Sequence, residues 1–165
     1  MRILLVHNYY QHKGGEDSVI EQEAIALSEK NEVKVISTRN KKGLKGIIQF
    51  ISYPFNIFEA FRIVKQAKEF KADIIHIHNL HYGFGPLLIR FLHQAGFKIV
   101  MTLHNFRLIC PSATLYYNNK LHTESIREDF PWTAVKAKSL DKSLLKTGIT
   151  ATPIGFIKNG AHGQW

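Results

Sequence analysis

Short apolar runs rich in β-branched residues, each followed at once by polar residues, recur along this chain. Three of them occupy residues 3–6, 74–77 and 99–103. Runs of this length and composition are typical of strands that are buried on both faces of a sheet. Segments with helical periodicity separate the runs, so strand and helix alternate. This alternation predicts an α/β fold, a Rossmann-like parallel sheet with helices on both faces.

Polar residues follow the predicted strands where a doubly wound sheet binds its ligands. The polar groups are His7-Asn8-Tyr9-Tyr10, Gly14-Gly15, His78-Asn79 and His104-Asn105. In an open parallel sheet the ligand crevice lies outside the carboxyl ends of the strands. We therefore expect these groups, called the polar rim below, to share one edge of the sheet.

The periodicity also predicts the bounds of individual elements. Strands are expected at residues 2–7, 32–37, 73–78 and 98–103, and helices at 18–30, 86–94 and 134–145. Ser18 and Glu21 have the spacing of a capping box for the first helix. Gly96 is the expected stop of the second.

Residues 46–70 are apolar, aromatic and basic together, and Pro54 is expected to divide them into two helical pieces. Two interpretations stay open for this segment. The apolar side chains can line the core beneath the sheet, as aromatic stripes usually do. Alternatively, together with the lysines from Lys41 onward, they can contact an anionic membrane surface.

Length, cysteine content and hydropathy restrict the class of protein. A chain of 165 residues fits one domain. Its single cysteine, Cys110, cannot form an internal disulfide, and no signal-peptide pattern is present, which favours a reducing, cytoplasmic setting. No run of apolar residues is long enough to predict a membrane span. We expect a cytoplasmic protein, soluble or peripheral at the inner face of a membrane.

The chain is basic, with 22 Lys and Arg against 13 Asp and Glu and a formal net charge of +9. This charge favours an anionic partner, which can be a nucleic acid, a phosphorylated substrate or a membrane surface. The basic residues are scattered, and no nucleic-acid-binding motif is present. We therefore do not expect a nucleic acid as the partner.

His76 and His78 stand two residues apart on a predicted strand, so they face the same side with a spacing that can chelate a metal. His81 and His104 are further candidates for such a site. No carboxylate or cysteine accompanies them at ligand spacing in the sequence. We therefore expect no metal, a buried and hydrogen-bonded His76, and His78 near the crevice.

Four segments in order carry a family resemblance. They are residues 1–10, Gly14-Gly15-Glu16-Asp17, residues 73–79 and residues 102–111. Together they resemble the N-terminal half of a glycosyltransferase of family 4. The resemblance implies the GT-B architecture, in which an N-terminal Rossmann-like domain holds the acceptor and a C-terminal one holds most of a nucleotide-sugar donor. It also implies transfer with retention of configuration, with no cofactor or metal, onto a carbohydrate or lipid-linked acceptor.

On this resemblance we expect an acceptor-side domain over residues 1–148 and an atypical or truncated tail over residues 149–165. The donor-binding domain is absent from the sequence, so the chain alone is expected to be a poor catalyst. The alternative is a non-catalytic half-domain, which either binds a separate donor-domain chain or is an inactive remnant.

The resemblance assigns His104 to the catalytic position, in contact with the donor sugar near the reacting carbon. The predicted donor and phosphate-binding residues are Gly14, Gly15 and Asn105, and the predicted acceptor-binding residues are Asn8, Tyr9, His78 and Asn79. Glycines let backbone amides approach an anion closely, and asparagine amides can bind sugar hydroxyls. Glu16 and Asp17 are expected only to favour the positive end of the first helix.

Overall fold

The computed structural model describes residues 1–161, the last three of them by backbone alone. The described residues divide into two compact units, one from Met1 to His104 and one that begins at Asn105. The predicted division at residue 148 falls within a helix and stays a prediction. In the described part of the chain, no helix combines the length and the hydrophobicity needed to cross a bilayer.

The first unit is built on a four-stranded parallel sheet, which confirms the predicted fold class. The strands are β1 (Arg2–Tyr9), β2 (Glu32–Arg39), β3 (Ile74–Asn79) and β4 (Lys98–Met101), in the spatial order β2-β1-β3-β4. The chain moves outward from β1 to β2 and then returns to pair β3 with the other edge of β1. The strand order therefore reverses between β1 and β3, where doubly wound sheets bind ligands at their carboxyl ends.

Helices cover both faces of this sheet. The helices of this unit are α1 (Gly15–Ser28), α2 (Gly43–Ser52), α3 (Ile57–Phe70) and α4 (Leu87–Gln94); α1 packs on one face of the sheet, and α3 and α4 pack on the other. Successive residues of β1 point to opposite faces. Ile3 and Leu5 accordingly pack against Ile20 of α1, while Leu4 and Val6 belong to the larger core that includes residues of α3 and α4.

Helix α1 begins three residues earlier than predicted, and the Ser18–Glu21 capping box is wrong. Gly14 is the N-cap in an extended conformation, and its N–H donates to the carboxylate of Asp17 over 2.9 Å. The Asp17 N–H donates in turn to the Gly14 carbonyl over 3.2 Å. The Asp17 side chain thus caps the helix from within its first turn, which agrees with the prediction that Asp17 favours the start of this helix.

The predicted helix breaks at proline and glycine are confirmed. Pro54 lies in a short 3₁₀ turn, Tyr53–Phe55, between α2 and α3. Helix α3 then begins after Asn56, whose side chain accepts the Glu59 N–H. Gly96 adopts φ +82° just beyond α4 and its N–H donates to the His93 carbonyl, which ends the helix.

In the part of the second unit that the structure describes, a small hairpin is followed by three helices. The hairpin pairs β5 (Tyr116–Tyr117) with β6 (Lys120–Leu121), and the helices are α5 (Glu124–Arg127), α6 (Trp132–Lys136) and α7 (Leu144–Ala161). Its small core contains Cys110 and Tyr117, and burial raises the pKa of Tyr117 to about 12. The helix predicted over 134–145 is wrong. Lys138, Asp141 and Lys142 adopt positive φ, which interrupts the helix.

Candidate functional site

Four histidines lie along one face of the sheet near its carboxyl edge. They are His7 of β1, His76 and His78 of β3, and His104 after β4. The ring of His78 lies 4.4 Å from that of His76, 5.4 Å from that of His104 and 6.3 Å from that of His7, between centroids. Strand alternation explains the alignment in β3, because Ile75 and Ile77 point into the core on the opposite face. We call this set the histidine row.

His78 lies at the centre of the row, and His78 and His7 are its most buried members. Burial, with the neighbouring His76, His104 and His7, lowers the pKa of His78 to about 4. Its imidazole is therefore neutral at pH 7, and one ring nitrogen carries no proton. The Nδ1 atom of His78 lies 3.2 Å from Nε2 of His104. This contact links the buried row to the half-exposed His104.

A carboxylate from α1, Glu23, joins the row, although none stands at ligand spacing from the histidines in the sequence. Glu23 Oε1 lies 2.7 Å from His76 Nδ1, and Glu23 Oε2 lies 3.4 Å from His78 Nε2. The other His76 nitrogen, Nε2, is 2.8 Å from Thr102 Oγ1. His76 is hydrogen-bonded as predicted, but half-buried rather than buried. The carboxylate could not be found from spacing, since more than fifty residues separate it from the histidines.

A second carboxylate pairs with the first histidine. Asp17 Oδ1 lies 2.8 Å from His7 Nε2, with 1% of the Asp17 side chain and none of the His7 side chain exposed. The other Asp17 oxygen accepts the Gly14 N–H. This pair ties the end of β1 to the start of α1. Sequence reasoning identified Asp17 as a helix-starting residue but missed its histidine partner.

Gly14 and Gly15 lie at the N-terminus of α1, directly linked to the row through Asp17. A Cβ added at either glycine would meet no heavy atom within 4 Å. The protein's own packing therefore does not require a glycine at either position. The first turn of a helix presents backbone N–H groups and a positive dipole end, a combination that binds anions.

Asn8 and Asn79 are buried and use their side chains to hold the loop after β3. The Asn8 amide accepts the Gly83 N–H over 3.1 Å and donates to Asn40 Oδ1 over 2.9 Å. Asn79 donates to the Asn8 carbonyl and accepts the His81 N–H, each over 2.9 Å. Their predicted contact with an acceptor stays a prediction, and in this structure they shape the rim through the loop.

The remaining predicted residues lie in different surroundings. Tyr9 is half-buried, with its ring edge-on to His7 at 4.6 Å and the Arg39 guanidinium 5.5 Å from its centroid. Burial, and then the carboxylates on α1, raises the pKa of the Tyr9 hydroxyl. Asn105 begins the second unit, where its side chain accepts the Arg107 N–H over 2.9 Å. The structure therefore gathers His78, His104 and Tyr9 around one row and places the glycines beside it.

The apolar segment after β2 has an exposed side that the core interpretation does not explain. Four side chains of α2 at helical spacing are 57–74% exposed: Leu44, Ile47, Ile48 and Ile51. No residue of α2 is buried. The core interpretation is right for the inner face of α3, where Ala60, Ile63 and Ala67 are buried, and wrong for α2. We call the four α2 residues the apolar stripe.

Comparisons with known proteins give one match. The model of the family described as Glycosyltransferase Family 4 matches residues 13–161. The matched range includes three of the four segments of the resemblance and extends through α7. No curated protein and no solved structure matches the chain.

Proposed function

Because the chain belongs to glycosyltransferase family 4, we propose that it transfers a sugar from a nucleotide-sugar donor to a carbohydrate or lipid-linked acceptor. In this proposal the anomeric configuration is retained, and the transfer step uses no metal or other cofactor. The polar rim holds the acceptor and the leaving phosphate. The observation that carries the proposal is the juxtaposition of the α1 N-terminus with the histidine row at the carboxyl edge of the sheet.

The glycine pair suits the leaving group of this reaction. Breaking a bond between a sugar and a diphosphate leaves negative charge on the phosphate oxygens. Preorganised N–H donors and a helix dipole stabilise that charge without reorganising during the reaction. The open space above Gly14 and Gly15 supports a phosphate approaching the first turn of α1.

His104 suits the other side of the reacting bond. Positive charge develops at the anomeric carbon, and a histidine side chain or backbone carbonyl can stabilise it or bind a sugar hydroxyl. The ring of His104 stacks beside that of His78, with a hydrogen bond between their nitrogens. Because β3 holds His78 rigidly, this contact fixes the orientation of His104 while leaving it half-exposed.

The experiment that tests the proposal is an assay of sugar transfer by the protein, with UDP- and GDP-sugars as donors. Free oligosaccharides and a short prenyl-diphosphate-linked sugar serve as acceptors. We expect transfer that persists in EDTA and a product whose anomeric NMR coupling matches that of the donor. Absence of transfer from every donor, or a product of inverted configuration, would contradict the proposal.

Gly15→Ala separates phosphate binding from folding in the same assay. We expect kcat/KM for the donor to fall about tenfold, because the new methyl group occupies the space proposed for the phosphate. The free energy of unfolding should change by less than about 1 kcal/mol, since helix formation tolerates alanine and the site is open. Gly148→Ala is the matched control, because Gly148 also has open space around it in a helix. Unchanged kinetics in Gly15→Ala would remove the glycines from the donor site.

We propose further that the apolar stripe docks on an anionic membrane surface at the cytoplasmic side, where a lipid-linked acceptor is available. The exposed lysines Lys41, Lys42 and Lys45 lie at the beginning of α2, beside the stripe. An amphipathic helix with isoleucine on one side and lysine nearby binds the interface through apolar burial and attraction to anionic headgroups. The net charge of +9 supports an anionic surface as the partner.

Ile48→Glu tests this docking. Ile48 is 60% exposed, so the change should leave folding intact. We expect binding to vesicles of phosphatidylcholine with 30% phosphatidylglycerol to weaken at least tenfold in a sedimentation assay, because apolar burial is lost and a negative charge is introduced. Ile25→Glu is the control, since Ile25 is 71% exposed on α1 and lies outside the stripe. Equal losses in both variants, or none in Ile48→Glu, would contradict docking through α2.

A further inference from the structure

Glu23, His76 and His78 together have the composition of a metal site. Each offers one ligand atom, and these atoms lie within 4.8 Å of one another. Glu23 comes from the middle of α1 and both histidines come from β3, so regular secondary structure holds all three. Two histidines and one glutamate form a ligand set that zinc uses in sites with an open coordination position.

Two distances, one from each Glu23 carboxylate oxygen to a histidine nitrogen, are comparable to those between the ligands of a coordinated ion. Ligands about 2.0–2.1 Å from a tetrahedral zinc ion lie about 3.3 Å from one another. Glu23 Oε2 and His78 Nε2 are already 3.4 Å apart. Glu23 Oε1 and His76 Nδ1 lie 2.7 Å apart and would separate by roughly 0.6 Å around a metal ion.

The other nitrogen of each histidine has the partner that a metal-bound imidazole needs. A ligating histidine donates its second ring N–H to a fixed acceptor, which sets its tautomer and orientation. His76 Nε2 lies 2.8 Å from Thr102 Oγ1, and His78 Nδ1 lies 3.2 Å from His104 Nε2. The Thr102 hydroxyl accommodates either tautomer of His76 because it can both donate and accept.

The burial of His78 Nε2 without a hydrogen bond is a second observation that points to a ligand at this position. His78 is 3% exposed, and its Nε2 atom points toward the Glu23 carboxylate without a hydrogen bond among the described residues. A buried polar atom without a partner is costly. A cation between Nε2 and the carboxylate would satisfy both groups.

We propose that Glu23, His76 and His78 bind one zinc-type transition-metal ion, with water in the remaining coordination position. The bound ion would occupy Nε2 of His78 and leave Nδ1 facing His104, a contact that the structure already has. This site lies beside the proposed transfer chemistry and supplies no step of it. The inference therefore stands on this cluster alone and does not depend on the proposed donor or acceptor.

The test is a titration of the metal-free chain with Zn²⁺ against a chromophoric chelator, without any sugar substrate. We expect one ion per chain. Co²⁺ in its place should give visible absorption bands of the intensity typical of four- or five-coordinate sites. Glu23→Gln should weaken Zn²⁺ binding about 100-fold, and Thr102→Val, which removes only the outer partner of His76, about tenfold.

Controls distinguish this site from binding at surface histidines. Glu29→Gln, one residue beyond the end of α1, and His93→Asn on α4 change exposed residues and should leave the affinity unchanged. Zn²⁺ should raise the melting temperature of the native chain but not of Glu23→Gln, with far-UV circular dichroism confirming that the variant folds. If Glu23→Gln fails to fold, Thr102→Val carries the comparison. Two results would overturn the proposal. One is the absence of stoichiometric Zn²⁺ binding, and the other is equal Zn²⁺ affinity in the native chain and in the variant compared with it, Glu23→Gln or Thr102→Val.

Discussion

Replacing Asp17 with alanine is expected to lower the free energy of unfolding by about 3 kcal/mol, measured by urea denaturation. The Asp17 carboxylate is buried and holds two partners, His7 Nε2 at 2.8 Å and the Gly14 N–H at 2.9 Å. Removing it leaves the His7 imidazole buried without a partner, since its Nδ1 atom already lacks a hydrogen bond. Loss of the helix cap alone accounts for about 1 kcal/mol of the decrease.

Two variants identify the source of this loss. Asp17→Asn keeps an oxygen for the Gly14 N–H and can still bond His7 through its amide, so we expect a decrease of about half that size. Glu16→Ala removes the neighbouring carboxylate in the first turn. The expected contribution of this carboxylate is attraction to the helix dipole, so the free energy of unfolding should fall by less than about 1 kcal/mol. Equal effects at Asp17 and Glu16 would show that charge at the helix end, rather than the buried pair, stabilises this junction.

Local sequence patterns predicted the elements that depend on local physics. The strands β1 and β3 were predicted within two residues because strands that are buried on both faces of a sheet leave short, continuous apolar runs in the sequence. Pro54 and Gly96 interrupt helices through fixed backbone preferences, and both effects were predicted. Strand β4 ends two residues earlier than expected, because the chain leaves the sheet soon after the Thr102 N–H bonds to the Ile77 carbonyl.

The candidate site was predictable only in part, because its charged partners come from distant segments. Placement of His78 and His104 near one another followed from parallel strands sharing an edge. The contacts of Glu23 and Asp17 depend on how α1 rotates against the sheet, and no spacing within α1 reveals that rotation. A search for polar residues on the sheet-facing side of α1 would have identified both carboxylates.

The exposed stripe on α2 illustrates the same limit. Leu44, Ile47 and Ile51 have the spacing of a helix face that packs on a core, and the sequence alone cannot distinguish that use from an exposed apolar face. The distinction comes from tertiary structure. Helix α3 occupies the position against the sheet, as its buried Ala60 and Ile63 demonstrate, and α2 has no buried residue.

His104→Ala is expected to reduce kcat for sugar transfer by about 100- to 1000-fold, the loss typical of removing one preorganised group beside developing charge. KM for the donor should change far less, because the proposed contact strengthens as the transition state forms. His104 is half-exposed, and its side-chain contact runs to His78. We therefore expect the free energy of unfolding to fall by less than about 1 kcal/mol.

The turnover of His104→Ala is measured in the transfer assay, and its free energy of unfolding is measured in the 165-residue chain. His93→Ala is the control, because His93 is an exposed histidine near the end of α4. His104→Gln, which keeps a hydrogen-bonding group facing His78, should recover part of the lost turnover if position rather than imidazole chemistry matters. Turnover of His104→Ala within twofold of the native value would exclude a catalytic role. A matching fall in stability would instead assign His104 to holding the edge of the sheet.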